Sequence, residues 1–412
     1  MWQRRTMAEK VELLSPAGDL ERLRMALHYG ADAVYLAGRE FGMRSSSVSF
    51  TDEALQTAVA LAHAKEARVY VTCNTLPNEE ELPRLPDYLG FLQEIGVDAL
   101  IIADLGVMRL ASRYAPRLAR HVSTQLGVIN SATANVLYDM GADTVVLARE
   151  TSMEDIRKIR KETPKDLKLE VFVHGAMCVS FSGRCLLSNY LTGRDANRGQ
   201  CAQPCRWKYH LVEETRPGEY YEISEDGGTY ILNSRDLCMI EHLGELIEAG
   251  VGSFKIEGRT KSAYYAAAVT NAYRHALDAA LRGEQPDRIW IEETDKIRHR
   301  PYSTGFFYGY PGQYTAASAY TAAYGVVAVV ESCDPEGNAV LSQRNKFSVG
   351  DELELLTNDG LPVPFKAEEL FDGEGNPLES ARCAVMTVKM KLPRYASPLS
   401  IVRKALAKPL FS

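Results

Sequence analysis

Hydrophobic and polar residues follow one repeated pattern over the first 280 residues. A short run of Val, Ile and Leu leads to a polar or glycine-bearing end, and then to a stretch whose apolar residues recur every three or four positions. The first kind of segment is typical of a strand buried on both faces, and the second of an amphipathic helix. We predict eight strands, at residues 11–18, 33–38, 68–75, 99–106, 121–127, 144–150, 169–175 and 254–260.

The helices predicted between these strands close on glycine. Gly30, Gly96, Gly141 and Gly250 each stand between a helical segment and the next strand, where a left-handed cap is easiest for glycine. Eight such units over about 250 residues have the usual size of a (β/α)8 barrel, the TIM-like class of α/β fold. An open doubly wound sheet is the alternative, but no GxGxxG follows the first strand.

A period-two pattern replaces the helical one near the end of the chain. The segments GVVAVVES, DELELLTNDG and AVMTVKMK predict strands, and turn residues such as DPEGN separate them. We therefore predict a barrel at residues 1–285 with a cysteine-rich insertion at 176–236, an aromatic connector at 286–323, and a small all-β, barrel-like domain at 324–412.

Polar residues gather at the predicted carboxyl ends of the strands, where (β/α)8 barrels place their chemistry. They are Ser15, Asn74, Asp104, Ser123, Gln125, Arg149, Glu150, His174, Glu257 and Arg259. The connection after the seventh strand is more than fifty residues long, and loops of that length are usually functional or disordered. We expect this connection to carry function, because it holds most of the cysteines.

Five of the eight cysteines crowd into this region, at Cys178, Cys185, Cys201, Cys205 and Cys238. In a reducing compartment, a metal or redox site explains such a group better than disulfides do. Only Cys201 and Cys205 have the spacing of a zinc site, and no matched set of histidines is present, so iron–sulfur is favoured over zinc.

A nucleophilic cysteine is the alternative interpretation. His174 precedes Cys178 by four residues, and a neighbouring base activates a thiol. A histidine at a strand end near a cysteine is, however, more often structural. The sequence contains neither the HExxH of zinc peptidases nor the GxSxG of serine hydrolases.

The net charge of −7 argues against a protein that coats nucleic acid by charge alone. One stretch is nevertheless basic, because Arg184, Arg194, Arg198, Arg206 and Lys208 stand against a single Asp195. No apolar run is long enough to span a bilayer, and the first residues lack the apolar region of a secretory signal. We expect a cytoplasmic protein that has no membrane partner.

Several segments resemble one known family. The stretch EVFVHGAMCVSFSGRCLLS resembles the signature of the collagenase-like peptidases, family thirty-two of the peptidase class of unknown mechanism. Further similar segments are ELLSPAGDLE, GADAVYLAG, STQLGVIN, NRGQCAQPCRWKY, NSRDLC, FKIEGRTKSAYY and RPYSTGFFYG. Within the family, GQCAQPCRWKY and KIEGRTKS are most similar to the branch that makes 5-hydroxyuridine at the tRNA wobble position.

The resemblance implies oxygen-independent hydroxylation of RNA or of a quinone precursor, with prephenate as a co-substrate in the RNA branch. It also implies an iron–sulfur cluster of the 4Fe-4S type, whose ligands carry over to Cys178, Cys185, Cys201 and Cys205. Cys238 competes for one of the four places, because related quinone-pathway proteins use a cysteine near that position. A few family members were described as collagen-degrading proteases.

The resemblance also suggests roles for polar residues, with tRNA or another RNA as the partner. The candidate catalytic residues are His174, Arg149, Glu257 and Arg259, and the candidate RNA-binding residues are Arg194, Arg198, Arg206 and Lys208. Arginine suits carboxylates and phosphates, although an ion pair with Glu150 or Glu257 is the structural alternative for either strand-end arginine.

Two other interpretations of the function remain open. One is a peptidase that uses Cys178 or a bound metal, and the other is a non-catalytic redox or scaffold protein with a structural cluster. The sequence makes no prediction of oligomeric state.

Overall fold

A ring of eight parallel strands forms the first part of the protein. The structure, a computed structural model, describes residues 11–43, 49–207, 209–212, 218, 220–222, 233–312, 314 and 322–406. Up to the seventh barrel strand the elements are β1 Glu12–Pro16, α1 Leu20–His28, β2 Ala33–Leu36, α2 Asp52–His63, β3 Arg68–Cys73, α3 Leu85–Glu94, β4 Ala99–Ile102, α4 Leu105–Tyr114, β5 Ala119–Val122, α5 Ser131–Asp139, β6 Thr144–Val146, α6 Met153–Glu162 and β7 Lys168–Ala176. The insertion then contains α7 Leu187–Thr192, β8 His210–Val212, β9 Tyr220–Glu222 and β10 Asp236–Cys238. The barrel resumes with α8 Leu243–Glu248, β11 Ser253–Ile256 and α9 Ala263–Leu281.

Backbone hydrogen bonds close the ring. Strands β1 to β7 pair in chain order, and β11 lies between β7 and β1. Phe254 of β11 is opposite Leu13 on one side and Val171 on the other. The outward side chains of the strands share a core with helix residues such as Leu23 and Leu277. The predicted (β/α)8 fold class is confirmed.

Side-chain caps and glycines set the ends of the barrel helices. Asp19 and Thr51 accept hydrogen bonds from the amides of Arg22 and Ala54, which begin α1 and α2. The four glycines predicted to cap helices all have positive φ angles, between 82° and 96°, a conformation that costs glycine little. None of the helices that the structure describes is long and apolar enough to cross a membrane.

The interior of the barrel is partly polar. Glu170 of β7 accepts from Lys255 Nζ at 2.8 Å and from Ser253 Oγ at 3.0 Å. Glu12 accepts from Tyr70 OH at 2.7 Å, and its other oxygen lies 3.2 Å from the same Ser253 hydroxyl, whose single proton the two carboxylates share. Buried charges are tolerated when they are paired and hydrogen-bonded. This network therefore links β7, β11, β1 and β3 across the inside of the ring.

Two short strands extend the barrel sheet beyond the ring. Strand β10 runs antiparallel to the end of β7, with Cys238 opposite His174 and Asp236 opposite Ala176. Strand β12, Tyr302–Ser303, pairs with β10 in parallel. It lies in the predicted connector, after α10 Arg288–Asp295, so the connector is hydrogen-bonded to the end of the insertion.

An all-β domain follows the connector. Its strands are β13 Tyr324–Cys333, β14 Asn338–Gln343, β15 Phe347–Ser348, β16 Glu352–Leu356, β17 Val363–Lys366, β18 Phe371–Asp372, β19 Ser380–Ala381, β20 Thr387–Lys391 and β21 Ile401–Ala405. Seven of them form one sheet in the order β17-β16-β21-β13-β14-β20-β18, and β15 pairs with β19. Phe347, Leu341 and Val402 lie in its separate hydrophobic core. The predicted all-β domain is confirmed.

A buried ion network joins the two domains. Arg403 of β21 donates to Glu293 of α10 at 2.7 Å and to Tyr264 of α9 at 2.9 Å, and it also pairs with Glu354 of β16. Lys296 lies 2.7 Å from Glu293 and 3.0 Å from Glu354. Two cations thus balance two carboxylates at the interface, which fixes the β-domain against the last barrel helix.

We expect Arg403→Met to destabilise the protein strongly. The substitution leaves two buried carboxylates with Lys296 as their remaining cation, and breaking a buried ion pair on one side costs about 3–5 kcal/mol. Urea unfolding measures the loss. Arg282→Met is the matched control, because Arg282 pairs with Glu284 on the surface, and it should leave the midpoint unchanged. Equal effects of the two substitutions would contradict a stabilising role for the buried network.

Candidate functional site

A cavity opens at the carboxyl ends of the barrel strands. We call it the mouth cavity. Its wall on the strand side includes Asn74, Gln125, Arg149, Lys255, Glu257 and Arg259. Residues of the insertion form the opposite wall. The insertion therefore covers the face on which (β/α)8 barrels carry their chemistry.

Four thiols lie on the insertion side of this cavity, those of Cys178, Cys185, Cys201 and Cys205. Burial raises the pKa of the Cys205 thiol, the charge of Arg206 lowers it, and the nearby thiols of Cys178 and Cys201 raise it again. The backbone N–H of Gln203 donates to the Cys201 sulfur, with the nitrogen 3.3 Å from the sulfur. The fold thus brings together cysteines from three separate parts of the insertion.

The chemistry of this donor set fits an iron–sulfur cluster, which takes thiolate ligands and accepts N–H hydrogen bonds at sulfur. In the described parts of the chain, no group of three or more His, Cys, Asp or Glu side chains is already arranged to hold a metal ion. A cluster would therefore have to draw the four thiols closer together.

Cys238 lies elsewhere. It belongs to β10, and its sulfur is 3.7 Å from Tyr273 OH and 4.0 Å from Thr294 Oγ1. Burial raises the pKa of its thiol. Its contacts are with α9 and α10, and it is absent from the described wall of the mouth cavity. The structure therefore brings four of the five candidate cysteines together and separates the fifth from them.

The loop that carries Cys178 is fixed to the barrel rim by Glu150 and Gln125. The two oxygens of Glu150 accept from the amide and the hydroxyl of Ser182, at 3.0 and 2.9 Å. Gly183 has a φ of +75°, and a Cβ there would lie 1.9 Å from the carbonyl oxygen of Gln125. Only glycine allows the loop to approach the rim this closely.

A second anchor joins the two ends of the insertion. Arg300, which is fully buried, donates to Asp236 Oδ1 through Nε at 2.9 Å and through Nη2 at 2.6 Å. The same guanidinium donates to Asn233 at 2.9 Å and to the carbonyl oxygen of Met177 at 3.4 Å. Ser234 donates to that carbonyl at 2.7 Å. Met177, the residue before Cys178, is thereby held beside Ser234 and β10 at the end of the insertion.

Arg149 and Glu257 form an ion pair on the cavity wall. Arg149 Nη2 lies 2.8 Å from Glu257 Oε2, and Nη1 donates to the carbonyl oxygen of Ala176 at 2.6 Å. The guanidinium carbon is 3.9 Å from the centre of the Phe172 ring. Arg149 thus forms the ion pair that was the structural alternative to a functional role, and its partner is Glu257. Both side chains still border the cavity.

Two further cations border the cavity. Arg259 is buried and donates to Thr72 Oγ1 at 3.0 Å. Lys255 lies 4.7 Å from the centre of the Tyr35 ring while it pairs with Glu170. Sequence reasoning missed Lys255. The signal was available, because Lys255, Glu257 and Arg259 alternate along one strand and its loop, and alternate residues share a face.

The structure does not bring His174 to the cavity. Phe172 of β7 pairs with Lys255, but His174 pairs with the next residue, Ile256, so β7 carries one extra residue at this point. Such a bulge reverses the facing of the residues that follow it. His174 Nδ1 lies 3.3 Å from Tyr273 OH, and its ring packs against Tyr265 and Tyr302. Burial lowers its pKa to about 3.

The candidate RNA-binding residues have different environments. Arg194 is exposed, whereas Arg198 pairs with Glu81 and donates to the carbonyl oxygen of Leu76 at 3.1 Å. Arg206 is half-buried beside Cys205. Lys208 lies outside the described residues. Their role in RNA binding stays a prediction.

A sequence profile of the peptidase family U32 matches residues 18–317, and a profile of the U32 C-terminal domain matches residues 322–403. The chain is 38% identical over 408 residues to the tRNA hydroxylation protein P1 of Bacillus subtilis, covering 97% of this chain and 96% of that protein.

Two further relatives have different names. The chain is 36% identical over 375 residues to the 23S rRNA 5-hydroxycytidine C2501 synthase of Escherichia coli, covering 88% of this chain and 53% of that protein. It is 32% identical over 311 residues to a collagenase of Porphyromonas gingivalis, covering 72% of this chain and 73% of that protein. The relatives thus include proteins named for RNA hydroxylation and proteins named for proteolysis.

His174 should make folding sensitive to acid. Its pKa falls from 6.5 in the unfolded chain to about 3 in the fold, so the unfolded state alone takes up a proton below pH 6.5. Stability is therefore complete near pH 7 and is lost as the pH falls, by about 2 kcal/mol at pH 5 from this group. Urea unfolding of His174→Gln at pH 7 and pH 5 should show a loss of unfolding free energy that is smaller than the wild-type loss by that amount. An unchanged loss in His174→Gln would contradict the buried neutral ring.

Proposed function

The chain belongs to peptidase family U32, and from that membership we propose that it is an RNA-hydroxylating enzyme whose reaction takes place in the mouth cavity. The observation that carries the proposal is the set of four thiols on the wall of this cavity. They lie on the face where (β/α)8 barrels carry their chemistry, in a chain whose relatives include proteins named for tRNA and rRNA hydroxylation.

The proposed substrate is a tRNA uridine at the wobble position, and the proposed product is 5-hydroxyuridine. The support is the similarity of GQCAQPCRWKY and KIEGRTKS to that branch of the family. The first of these segments supplies Cys201 and Cys205 to the cavity wall, and the second supplies Lys255, Glu257 and Arg259. The residues that support the assignment therefore border the same space.

Cys178, Cys185, Cys201 and Cys205 would hold an iron–sulfur cluster of the 4Fe-4S type. Such a cluster supplies electron transfer when it is bound. The backbone N–H of Gln203, which points at the Cys201 sulfur, would stabilise negative charge on that ligand. The anchors at Glu150 and Arg300 would limit the movement of the Cys178 loop, so that the ligands stay near their bound positions.

Prephenate is the proposed co-substrate, and it carries two carboxylates. Arg259 and Lys255 border the cavity with cationic groups that would attract them. Arg149 is held by Glu257 and stacked on Phe172. Its guanidinium would therefore have a fixed position on the wall, with its charge balanced by Glu257. The side chains of this wall would thereby orient an anionic donor next to the thiol wall.

A peptidase is the second candidate, favoured by the relative named collagenase. A cysteine nucleophile needs a base within hydrogen-bond reach. The described wall of the mouth cavity contains no histidine, and His174 is turned away from it. The geometry therefore supports the peptidase less well than the RNA-modifying enzyme.

The test is complementation in Escherichia coli that lacks its own RNA-hydroxylating U32 proteins, grown without oxygen. Mass spectrometry of tRNA nucleosides should show that the chain restores 5-hydroxyuridine and the nucleosides derived from it. Cys178→Ser should abolish this signal, because the cluster loses a ligand. Cys333→Ser, in the β-domain, is the matched control and should retain it, and Cys238→Ser should retain it as well.

Unmodified tRNA in a strain that makes the folded, iron-loaded wild-type chain would overturn the proposal. Cleavage of gelatin by iron-free wild-type protein, lost in Cys178→Ser, would establish the peptidase instead.

A further inference from the structure

The outer surface of the insertion exposes several large apolar side chains. Tyr190 is 87% exposed, Leu186 69%, Leu191 44% and Trp207 43%. Leu186, Tyr190 and Leu191 belong to α7 and its cap, and Trp207 directly follows the turn Pro204–Arg206. An apolar surface of this kind, rimmed by polar residues, marks an interaction site.

This surface belongs to the same part of the insertion as the cavity thiols. Helix α7 packs against the turn that contains Cys205. Asn197 donates to the carbonyl oxygen of Cys185 at 3.0 Å, and the Ser188 hydroxyl accepts from the Ala202 amide at 3.0 Å. The exposed rings and the cavity thiols therefore belong to one small packed unit. A partner bound to Tyr190 and Trp207 would therefore contact the same unit that carries the cavity thiols.

Positive charge accompanies these rings. Arg184 and Arg194 are exposed, and neither forms an ion pair with any residue that the structure describes. Between residues 184 and 207 the one acidic residue is Asp195. Its carboxylate accepts a hydrogen bond from the backbone N–H of Asn197 at 2.8 Å. In a chain with a net charge of −7, this surface is suited to a polyanion.

We propose that Tyr190 and Trp207 form a stacking platform for unpaired bases, so that the substrate RNA binds through a single-stranded loop and not through a duplex. Arg184 and Arg194 would bind the phosphates of that loop. The inference rests on the proposed function and adds the surface that would recognise the unpaired loop. Tyr190, Trp207, Leu186 and the two arginines together form the loop-binding surface.

Three features favour an unpaired RNA loop. Aromatic rings stack on the faces of unpaired bases, whereas in a duplex those faces are already stacked on each other. Enzymes that modify a base need it outside the helix stack, and the loop-binding surface belongs to the same packed unit as the cavity thiols. Arginines that have no ion-pair partner among the described residues suit phosphates, whereas a contact with another protein would call for acidic residues on that partner.

Fluorescence anisotropy with the complete, anaerobically purified, iron-loaded protein tests this inference. The probes are a labelled RNA hairpin with a uridine-containing loop and a blunt duplex of the same stem. The wild type should bind the hairpin at least tenfold more tightly than the duplex. Tyr190→Ala and Trp207→Ala should each weaken hairpin binding by about tenfold, with little effect on the duplex. Tyr190→Phe should bind as the wild type does, since it keeps the ring.

Tyr395→Ala is the matched control, because Tyr395 is an exposed tyrosine of the β-domain, and it should bind the hairpin normally. Equal affinity of the wild type for hairpin and duplex would overturn the inference, as would unchanged hairpin binding in both alanine variants. A change in the sedimentation of Tyr190→Ala without a change in RNA binding would also overturn it, because the surface would then be a contact between protein chains. Each of these three outcomes leaves the proposed function standing if the complementing strain makes 5-hydroxyuridine.

Discussion

The buried pairing of Arg300 with Asp236 is the contact on which the shape of the candidate site depends. The (β/α)8 ring supplies an open face, but a long insertion could leave that face in many directions. Arg300 binds Asp236 and Asn233 at the end of the insertion and the carbonyl oxygen of Met177 at its beginning. Because a buried arginine loses water on folding, it needs all of these partners, and the two ends must meet beside it.

A similar use of buried charge recurs in the rest of the molecule. Glu170 and Lys255 pair inside the barrel, and Arg403 pairs with Glu293 between the domains. Each network joins segments that are distant in sequence and leaves its charged groups with defined partners. Lys255 belongs to one of these networks and, like Arg259, also borders the mouth cavity. The same strand thus contributes to the barrel interior and to the site.

The sequence predicts the parts of this structure that depend on local pattern. The eight strands follow from apolar runs, and the helix ends follow from glycines whose φ angles are positive. The cysteine group was also visible, and the family resemblance favoured the four that border the cavity, but spacing alone left Cys238 as a competitor. Cys238 is set apart by its pairing on β10 opposite His174, a long-range contact that spacing does not encode. His174 is turned away by a bulge between β7 and β11, and a one-residue change of register leaves no signal in a hydrophobic pattern. Arg300 and Asp236 look like ordinary surface residues in the sequence, since nothing local marks their burial.

The barrel and the insertion each contribute one part of the site. Barrel strands provide the cationic wall, and the insertion provides the thiols together with an exposed aromatic surface on its outer side. The most direct measurement of this arrangement is an anomalous-scattering map, recorded at the iron edge from crystals of anaerobically prepared protein. The expected result is one strong peak in the mouth cavity, at bonding distance from the sulfurs of Cys178, Cys185, Cys201 and Cys205. A peak bonded to Cys238, or iron-loaded protein with no peak in the cavity, would contradict it.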